Sequence, residues 1–130
     1  MSFTGIHHIV IRVHDLEAAI AHWRDTLRQP LSRTQSNEAL GVHQAIFDLP
    51  DGGFIELIAP IDGGSPVAKA LASRGEGLHL VSMSVASVDD TIAQLEADDV
   101  AVLGEPGGPR FVHPKAANGV MLGLAQAEVG

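Results

Sequence analysis

Apolar and polar residues alternate along the first strand that the sequence predicts, and the spacing then becomes helical. His7, Ile9, Ile11 and Val13 share one side of a strand with a period of two residues, while His8 lies on the other side. Asp15 is a good helix N-cap. Apolar residues then follow at helical intervals: Leu16, Ala19, Ile20, Trp23 and Leu27. The pattern predicts a strand followed by an amphipathic helix.

The same pattern occurs a second time, 72 residues further along the chain. Segments 5–23 and 77–95 align without a gap, so that Gly5 matches Gly77 and Ile20 matches Ile92. Ser87 is the expected helix cap in the second copy. An internal repeat of this kind indicates a fold built from two similar units.

Three further strands are expected after each predicted helix, separated by turns rich in glycine and proline. They lie near residues 31–35, 42–49, 54–59, 100–103, 110–113 and 120–125. The predicted fold class is α+β, with two βαβββ modules forming curved mixed sheets around a central cleft. We expect one domain over residues 1–130, with a first module over about 1–61, a linker helix over about 65–75 and a second module over about 76–126.

Composition narrows the classes of function. The chain has 130 residues, 45% of them hydrophobic, and a formal net charge of −8. An acidic surface opposes binding to nucleic acid or to an anionic membrane, so neither is an expected partner, whereas an anionic small molecule could still bind where the few basic residues cluster. The absence of cysteine excludes disulfides and thiolate metal sites. No apolar run of membrane-spanning length and no leader peptide are visible, so a cytoplasmic location is expected.

Four segments resemble the vicinal oxygen chelate superfamily, which contains glyoxalases, bleomycin resistance proteins and dioxygenases. They read IHHIVIRVHDL, FIELIAP, SPVAKALASRGEGLH and FVHPKAANGV, and they resemble the methylmalonyl-CoA epimerase-like branch most. The resemblance implies a divalent metal held by four side chains, two from each half, and a glutamate that moves a proton. It also implies a small oxygen-rich or acyl-CoA-type substrate, an enzyme of the isomerase, epimerase or lyase type, and a homodimer.

The metal site implied by this resemblance is only half present. His8 and Glu56 match the two ligands of the first half, whereas Leu80 and Gly123 occupy the ligand positions of the second half. His79 lies one residue before Leu80, so strand alternation turns it to the other face unless a β-bulge intervenes. The predicted metal ligands are therefore His8, Glu56 and His79, with the identity of the ion open and a metal-free protein also possible.

His8, Glu56 and Glu38 are the predicted catalytic residues. Glu38 lies one position from the place of a proton-carrying glutamate in the family, which Ala39 occupies here. Epimerisation by two bases needs a proton acceptor on each face of the carbon, so the loss of a glutamate at position 123 weighs against it. The predicted substrate contacts are Arg12, Leu80, Arg110, His113, Lys115 and Met121.

Three functions stay open at this point. The first is an epimerase or glyoxalase type of enzyme that uses a metal. The second is a metal-free relative that binds a small molecule or uses His8 and Glu56 as an acid–base pair. The third is an iron-dependent oxygenase, for which His8, Glu56 and His79 supply the residue types but not a common face. His43 and Gln44 alternate on the third strand, and the pattern leaves open which of them faces the cleft.

Overall fold

The computed structural model describes residues 2–127, which are of mixed α+β class as the sequence predicts. The helices are Leu16–Ala21 (α1), which continues into a π-helical turn at His22–Thr26, Pro66–Arg74 (α2) and Val88–Ala97 (α3). A 3₁₀ turn spans Pro114–Ala116. The strands are Phe3–Arg12 (β1), Arg33–Asn37 (β2), Val42–Asp48 (β3), Phe54–Pro60 (β4), Gly77–Val85 (β5), Val102–Leu103 (β6), Arg110–Val112 (β7) and Leu122–Gln126 (β8).

α1 and α3 begin at the predicted cap residues Asp15 and Ser87, and α2 begins after Ser65, where the predicted linker helix starts. Asp15 Oδ1 accepts a hydrogen bond from the Ala18 amide at 3.1 Å. Ser65 and Ser87 do the same for the amides three residues further on, at 3.2 and 3.1 Å. Each cap satisfies a backbone N–H that the first turn of a helix leaves without a partner. No helix in residues 2–127 combines the length and the apolar character that a membrane span requires.

The chain divides into two compact units whose boundaries fall inside β1 and β5. The central unit is Val10–His79, and the terminal unit is Met1–Ile9 together with Leu80–Gly130, of which residues 2–9 and 80–127 are described. This division by contacts differs from the division by sequence repeat, which places both boundaries beside the linker helix. The module boundaries near residues 61 and 76 therefore stay a prediction.

The central unit has the strand order β2-β3-β4-β1 and packs one face against α1. β2 and β3 are antiparallel, as are β3 and β4. Ala45, Phe47 and Leu57 are each 0% exposed and pack with Ile20 of α1. These strand residues alternate with residues of the opposite face, since successive side chains in a strand point to opposite sides. The helix therefore fixes which residues of β3 and β4 lie away from it.

The terminal unit has the strand order β5-β8-β7-β6 and packs one face against α3. β5 and β8 are parallel, with Ser82 opposite Gly123 and Met83 opposite Leu124. β7 is antiparallel to β8. The core on the helix side contains Val85, Ile92, Val112 and Leu124. Ser82 and Gly123 consequently lie on the face away from α3.

Gly104, in the connection between β6 and β7, has a backbone that only glycine fits. Its φ is +96°, and a Cβ there would lie inside contact distance of the Pro109 carbonyl oxygen. Gly107 in the same connection also has a positive φ, +85°, but a Cβ there would meet nothing within 4 Å. An alanine at Gly104 would therefore suffer both steric overlap and a left-handed backbone, whereas an alanine at Gly107 would suffer only the left-handed backbone.

We expect Gly104→Ala to destabilise the protein by more than Gly107→Ala, which should cost only about 1–2 kcal/mol, the penalty of a left-handed backbone for an L-residue. The added cost at Gly104 comes from displacing the Pro109 carbonyl. Urea denaturation followed by circular dichroism measures both changes. Equal losses for the two variants would contradict the described packing of this turn.

Candidate functional site

Glu56 occupies the middle of β4 and is turned away from α1. Its neighbours Ile55 and Leu57 pack in the apolar cluster on the α1 side, so alternation directs the Glu56 side chain to the opposite face. The residue is half-buried. A carboxylate in a strand interior requires polar partners because losing water is costly for the charged form. Its placement agrees with the orientation that the sequence predicts.

Gln44 is the partner that the structure assigns to this carboxylate. Its Nε2 donates to Glu56 Oε2 at 3.2 Å, and its Oε1 accepts a hydrogen bond from Gln35 Nε2 at 2.9 Å. The side chains of Gln35, Gln44 and Glu56 are thus connected by hydrogen bonds from β2 through β3 to β4, on the face away from α1. Because Gln44 accepts from Gln35, its amide presents the NH₂ group to Glu56.

The structure shows which of His43 and Gln44 lies on the face of Glu56. Gln44 is 6% exposed and shares the face of Glu56, whereas His43 is exposed and places its Nδ1 2.8 Å from Ser36 Oγ. The sequence did not point to Gln35, because a glutamine in a predicted strand has no distinguishing pattern of its own. The signal that could have found it is its register opposite Gln44, which needs the turn between β2 and β3 to be placed correctly.

Burial raises the pKa of Glu56, and the hydrogen bond from Gln44 lowers it by a smaller amount, so that the net shift is upward. A raised pKa makes the carboxylate a better proton acceptor than an exposed glutamate. The donor from Gln44 favours the charged form and offsets part of the effect of burial. This balance gives the central unit a carboxylate suited to taking up and returning a proton.

His8 is half-buried in β1 and belongs to the terminal unit. Burial, followed by the charge of His7, lowers the pKa of His8 to about 4. The Nδ1 atoms of His7 and His8 lie 2.8 Å apart, so one ring donates to the other, and the ring centroids are 5.0 Å apart. His8 is therefore a neutral imidazole at neutral pH, with one ring nitrogen engaged by its neighbour.

Arg12, a predicted anchor for an anion, is 5% exposed and bonds to backbone carbonyls in the central unit. Its Nε donates to the Gly75 oxygen at 2.8 Å and its Nη1 to the Leu78 oxygen at 2.7 Å. Burial, followed by the charge of Arg74, lowers the pKa of Arg12. The guanidinium thus connects the end of β1 to the turn after α2, which gives it a structural role independent of any ligand.

His79, the third predicted ligand, is the third residue of β5. Its Nδ1 is buried and has no hydrogen-bond partner among residues 2–127. Burial lowers the pKa of His79, and the nearby charges of Arg12 and Arg74 lower it further. Within the central unit it is therefore a neutral histidine in a locally cationic environment.

The predicted contacts of the terminal unit lie on two different faces. Leu80 and Met121 are half-buried and share the face away from α3 with Ser82 and Gly123. Arg110 is opposite Leu124, which packs on the α3 side, and its Nε donates to the Leu103 oxygen at 3.4 Å. Leu80 and Met121 thus lie on one face of the sheet, and Arg110 lies on the other.

His113 and Lys115 lie together at the start of the 3₁₀ turn. His113 Nδ1 accepts from the Lys115 amide at 3.0 Å. Both line a cavity of about 420 Å³ in the terminal unit, together with Asp99, Val100, Ala101 and Ala116. A second cavity, of about 350 Å³, lies between α1 and β2 in the central unit and contains none of the predicted site residues.

Glu38 is exposed in the turn between β2 and β3, where its carbonyl accepts from the Gly41 amide at 3.1 Å. Within residues 2–127, no group of three or more histidine, aspartate or glutamate side chains could hold a metal ion. Of the three predicted ligands, Glu56 and His79 belong to the central unit and His8 to the terminal unit.

Comparison with known proteins agrees with the fold and adds a functional class. The model of the Glyoxalase/Bleomycin resistance protein/Dioxygenase superfamily matches residues 7–117. The ethylmalonyl-CoA/methylmalonyl-CoA epimerase of Cereibacter sphaeroides is 33% identical over 93% of this chain and 96% of its own length. These matches confirm the expected fold and family resemblance.

Two solved structures are similar over nearly the whole chain. Methylmalonyl-CoA epimerase from Mycobacterium tuberculosis has a TM-score of 0.85 at 31% identity, covering 98% of this chain and 90% of that one. A variant of the Streptomyces coelicolor methylmalonyl-CoA epimerase, in complex with 2-nitronate-propionyl-CoA, has a TM-score of 0.84 at 36% identity. It covers 98% of this chain and 100% of its own.

Removing the donor at position 44 should raise the pKa of Glu56 further, because that hydrogen bond favours the charged carboxylate. We expect this shift in Gln44→Leu, measured by following the ¹³C resonance of the Glu56 carboxyl group with pH. Gln94→Leu, on the exposed side of α3, is the control. A pKa of Glu56 that stays constant or falls in Gln44→Leu would contradict the assigned contact.

Arg12→Lys should lower the free energy of unfolding by about 1–3 kcal/mol, because lysine keeps the charge but cannot reach two carbonyls with one planar fork. The matched control is Arg74→Lys, since Arg74 is exposed at the end of α2. Urea denaturation measures both variants. Equal stability of Arg12→Lys and the wild type would refute the structural role of Arg12.

Proposed function

Because the chain belongs to the Glyoxalase/Bleomycin resistance protein/Dioxygenase superfamily, we propose that it is an epimerase-type isomerase that moves a proton at the carbon next to the carbonyl of an acyl-CoA-type thioester. Its close homologues are methylmalonyl-CoA epimerases, which are isomerases. The relatives named above are epimerases, so the lyase part of the expectation gains no support. Cytoplasmic location and a homodimeric state stay predictions.

The observation that carries this proposal is the carboxylate of Glu56, held by Gln44 on the face of β4 away from α1. In the proposed reaction, Glu56 takes the proton from the α-carbon, and the electrons of the broken C–H bond move onto the thioester oxygen. Return of a proton to the carbon restores the thioester. General acid–base catalysis by a positioned side chain typically accelerates a step of this kind by about 10²–10⁴-fold.

A metal centre of the family type does not fit the residues of this chain. The sequence repeat places Leu80 at one ligand position and the family motif places Gly123 at another, and neither has a side chain that binds a metal. No three-donor group exists among the described residues. The proposed reaction therefore uses the protein's own proton-transfer groups, and no step in it is assigned to a metal.

Inversion of configuration requires a proton on the second face of the carbon. Glu38 is the remaining predicted carboxylate of the central unit, and its exposed turn connects β2 to β3. We assign it the second proton transfer, with Glu56 as the first base. In the enantiomer that presents its α-proton to Glu56, exchange of that proton with solvent needs only Glu56, whereas inversion needs both groups, so the two roles can be measured separately on that enantiomer.

We expect Glu56→Gln to slow exchange of the α-proton of methylmalonyl-CoA with deuterated solvent by about 100-fold or more, since the amide cannot accept the proton. Glu38→Gln should keep the exchange and lose the inversion, which chiral analysis of the same samples detects. Glu96→Gln, on exposed α3, is the control. Wild-type exchange rates in Glu56→Gln would exclude this role for Glu56.

A metal-free binding protein is the second candidate function, and the apolar pair Leu80 and Met121 beside Gly123 favours it. Such a protein would bind an acyl-CoA without exchanging its α-proton. Isothermal titration calorimetry beside the exchange assay distinguishes the two functions. Binding with no exchange above the buffer rate would support the second candidate and overturn the first.

A further inference from the structure

Ser82 and Gly123 face each other on neighbouring parallel strands of the terminal unit. Their Cα positions are partners in the pairing of β5 with β8. A Cβ built on Gly123 would lie 3.2 Å from Ser82 Oγ and 3.4 Å from both Cα and Cβ of Ser82. The serine hydroxyl therefore borders the space that a side chain at position 123 would fill.

This hydroxyl has no hydrogen-bond partner among the described residues. Ser82 is 5% exposed, and no hydrogen bond joins its side chain to any of residues 2–127. Among the described residues, His79 Nδ1 is the one fully buried polar side-chain atom without a partner, so the Ser82 oxygen is not fully buried. The oxygen thus keeps some accessible surface while the rest of the residue is covered. A nearly buried donor without a partner is costly, and a ligand acceptor would remove that cost.

On the β8 side, the residues around the hydroxyl are small or apolar. Leu80 and Met121 precede Ser82 and Gly123 by two residues on the same face, and Phe111 is opposite Gly123 on β7. An apolar lining on that side, with the hydroxyl as its polar point, suits a neutral oxygen acceptor in an otherwise apolar ligand segment. An anionic group would leave most of its lone pairs unsatisfied here, since the hydroxyl supplies one donor.

We propose that Ser82 donates a hydrogen bond to the carbonyl oxygen of a bound acyl thioester, and that this oxygen occupies the space left by the missing side chain of Gly123. The choice of a thioester rests on the proposed function. The subsite itself rests on the position and the free donor of Ser82. In this chain a hydroxyl and an absent side chain thus form a binding point where the family motif implies a metal-ligating glutamate.

The test compares two probes that differ only at the carbonyl: propionyl-CoA, which has it, and S-propyl-CoA, a thioether that lacks it. Calorimetry of the wild type should show propionyl-CoA binding about 5- to 10-fold more tightly, the size expected for one neutral hydrogen bond that satisfies a covered donor. In Ser82→Ala the preference should vanish while S-propyl-CoA binds as in the wild type. Unchanged thioether binding also shows that the variant is folded.

Two further variants define the subsite. Gly123→Ala should remove the same preference, because its methyl group fills the space beside the hydroxyl. Ser84→Ala is the matched control: Ser84 is on the same strand and face but is opposite Ala125, which already carries a Cβ. It should keep the wild-type preference.

The outcomes separate the two proposals. If the wild type binds neither probe, the proposed acyl-CoA function fails, and the subsite that rests on it fails with it. If both probes bind but Ser82→Ala or Gly123→Ala keeps the preference, only the Ser82 subsite is overturned. An equal loss of the preference in Ser84→Ala would also overturn it, because the effect would then not depend on the space beside Gly123.

Discussion

The hydrogen bond from Gln44 to Glu56 is the interaction on which the candidate chemistry depends. Burial alone would push this carboxyl group towards its neutral form, and a neutral acid cannot accept a proton. One amide donor, itself held by Gln35, offsets part of that cost. The result is a carboxyl group whose pKa lies above that of an exposed glutamate but is raised less than by burial alone, and a more basic carboxylate is a better general base.

The sequence predicts the strands and the caps well because both depend on local physics. Asp15, Ser65 and Ser87 start helices wherever a short polar side chain can reach an amide three residues on, and the alternation around Glu56 follows from the pleat of a strand. The sequence does not predict which of His43 and Gln44 shares the face of Glu56, because Ala45, Ile46 and Phe47 make both faces of β3 apolar. Only the pairing with β4 and the packing of α1 decide that face.

Arg12 shows a different reason why a prediction from residue type is incomplete. An arginine on a polar strand face invites the assignment of an anionic ligand, and the structure adds two backbone carbonyls as partners, at 2.7 and 2.8 Å. Carbonyl oxygens exposed after the end of a helix such as α2 need donors, and a guanidinium supplies two in one plane. Sequence patterns do not reveal such long-range partners, since residues 12 and 75 are distant along the chain.

The two faces of the terminal unit separate the residues that stabilise its fold from those of the proposed subsite. Val85, Val112 and Leu124 pack against α3 and carry the burial that stabilises the unit, whereas Ser82 and Gly123 lie on the other face. Because alternate residues of a strand face opposite ways, substitutions on one face leave the core of the other intact. That separation allows glycine at position 123 without a loss of core packing, and in the proposed subsite the adjacent Ser82 hydroxyl uses the space beside Gly123 as a hydrogen-bond donor.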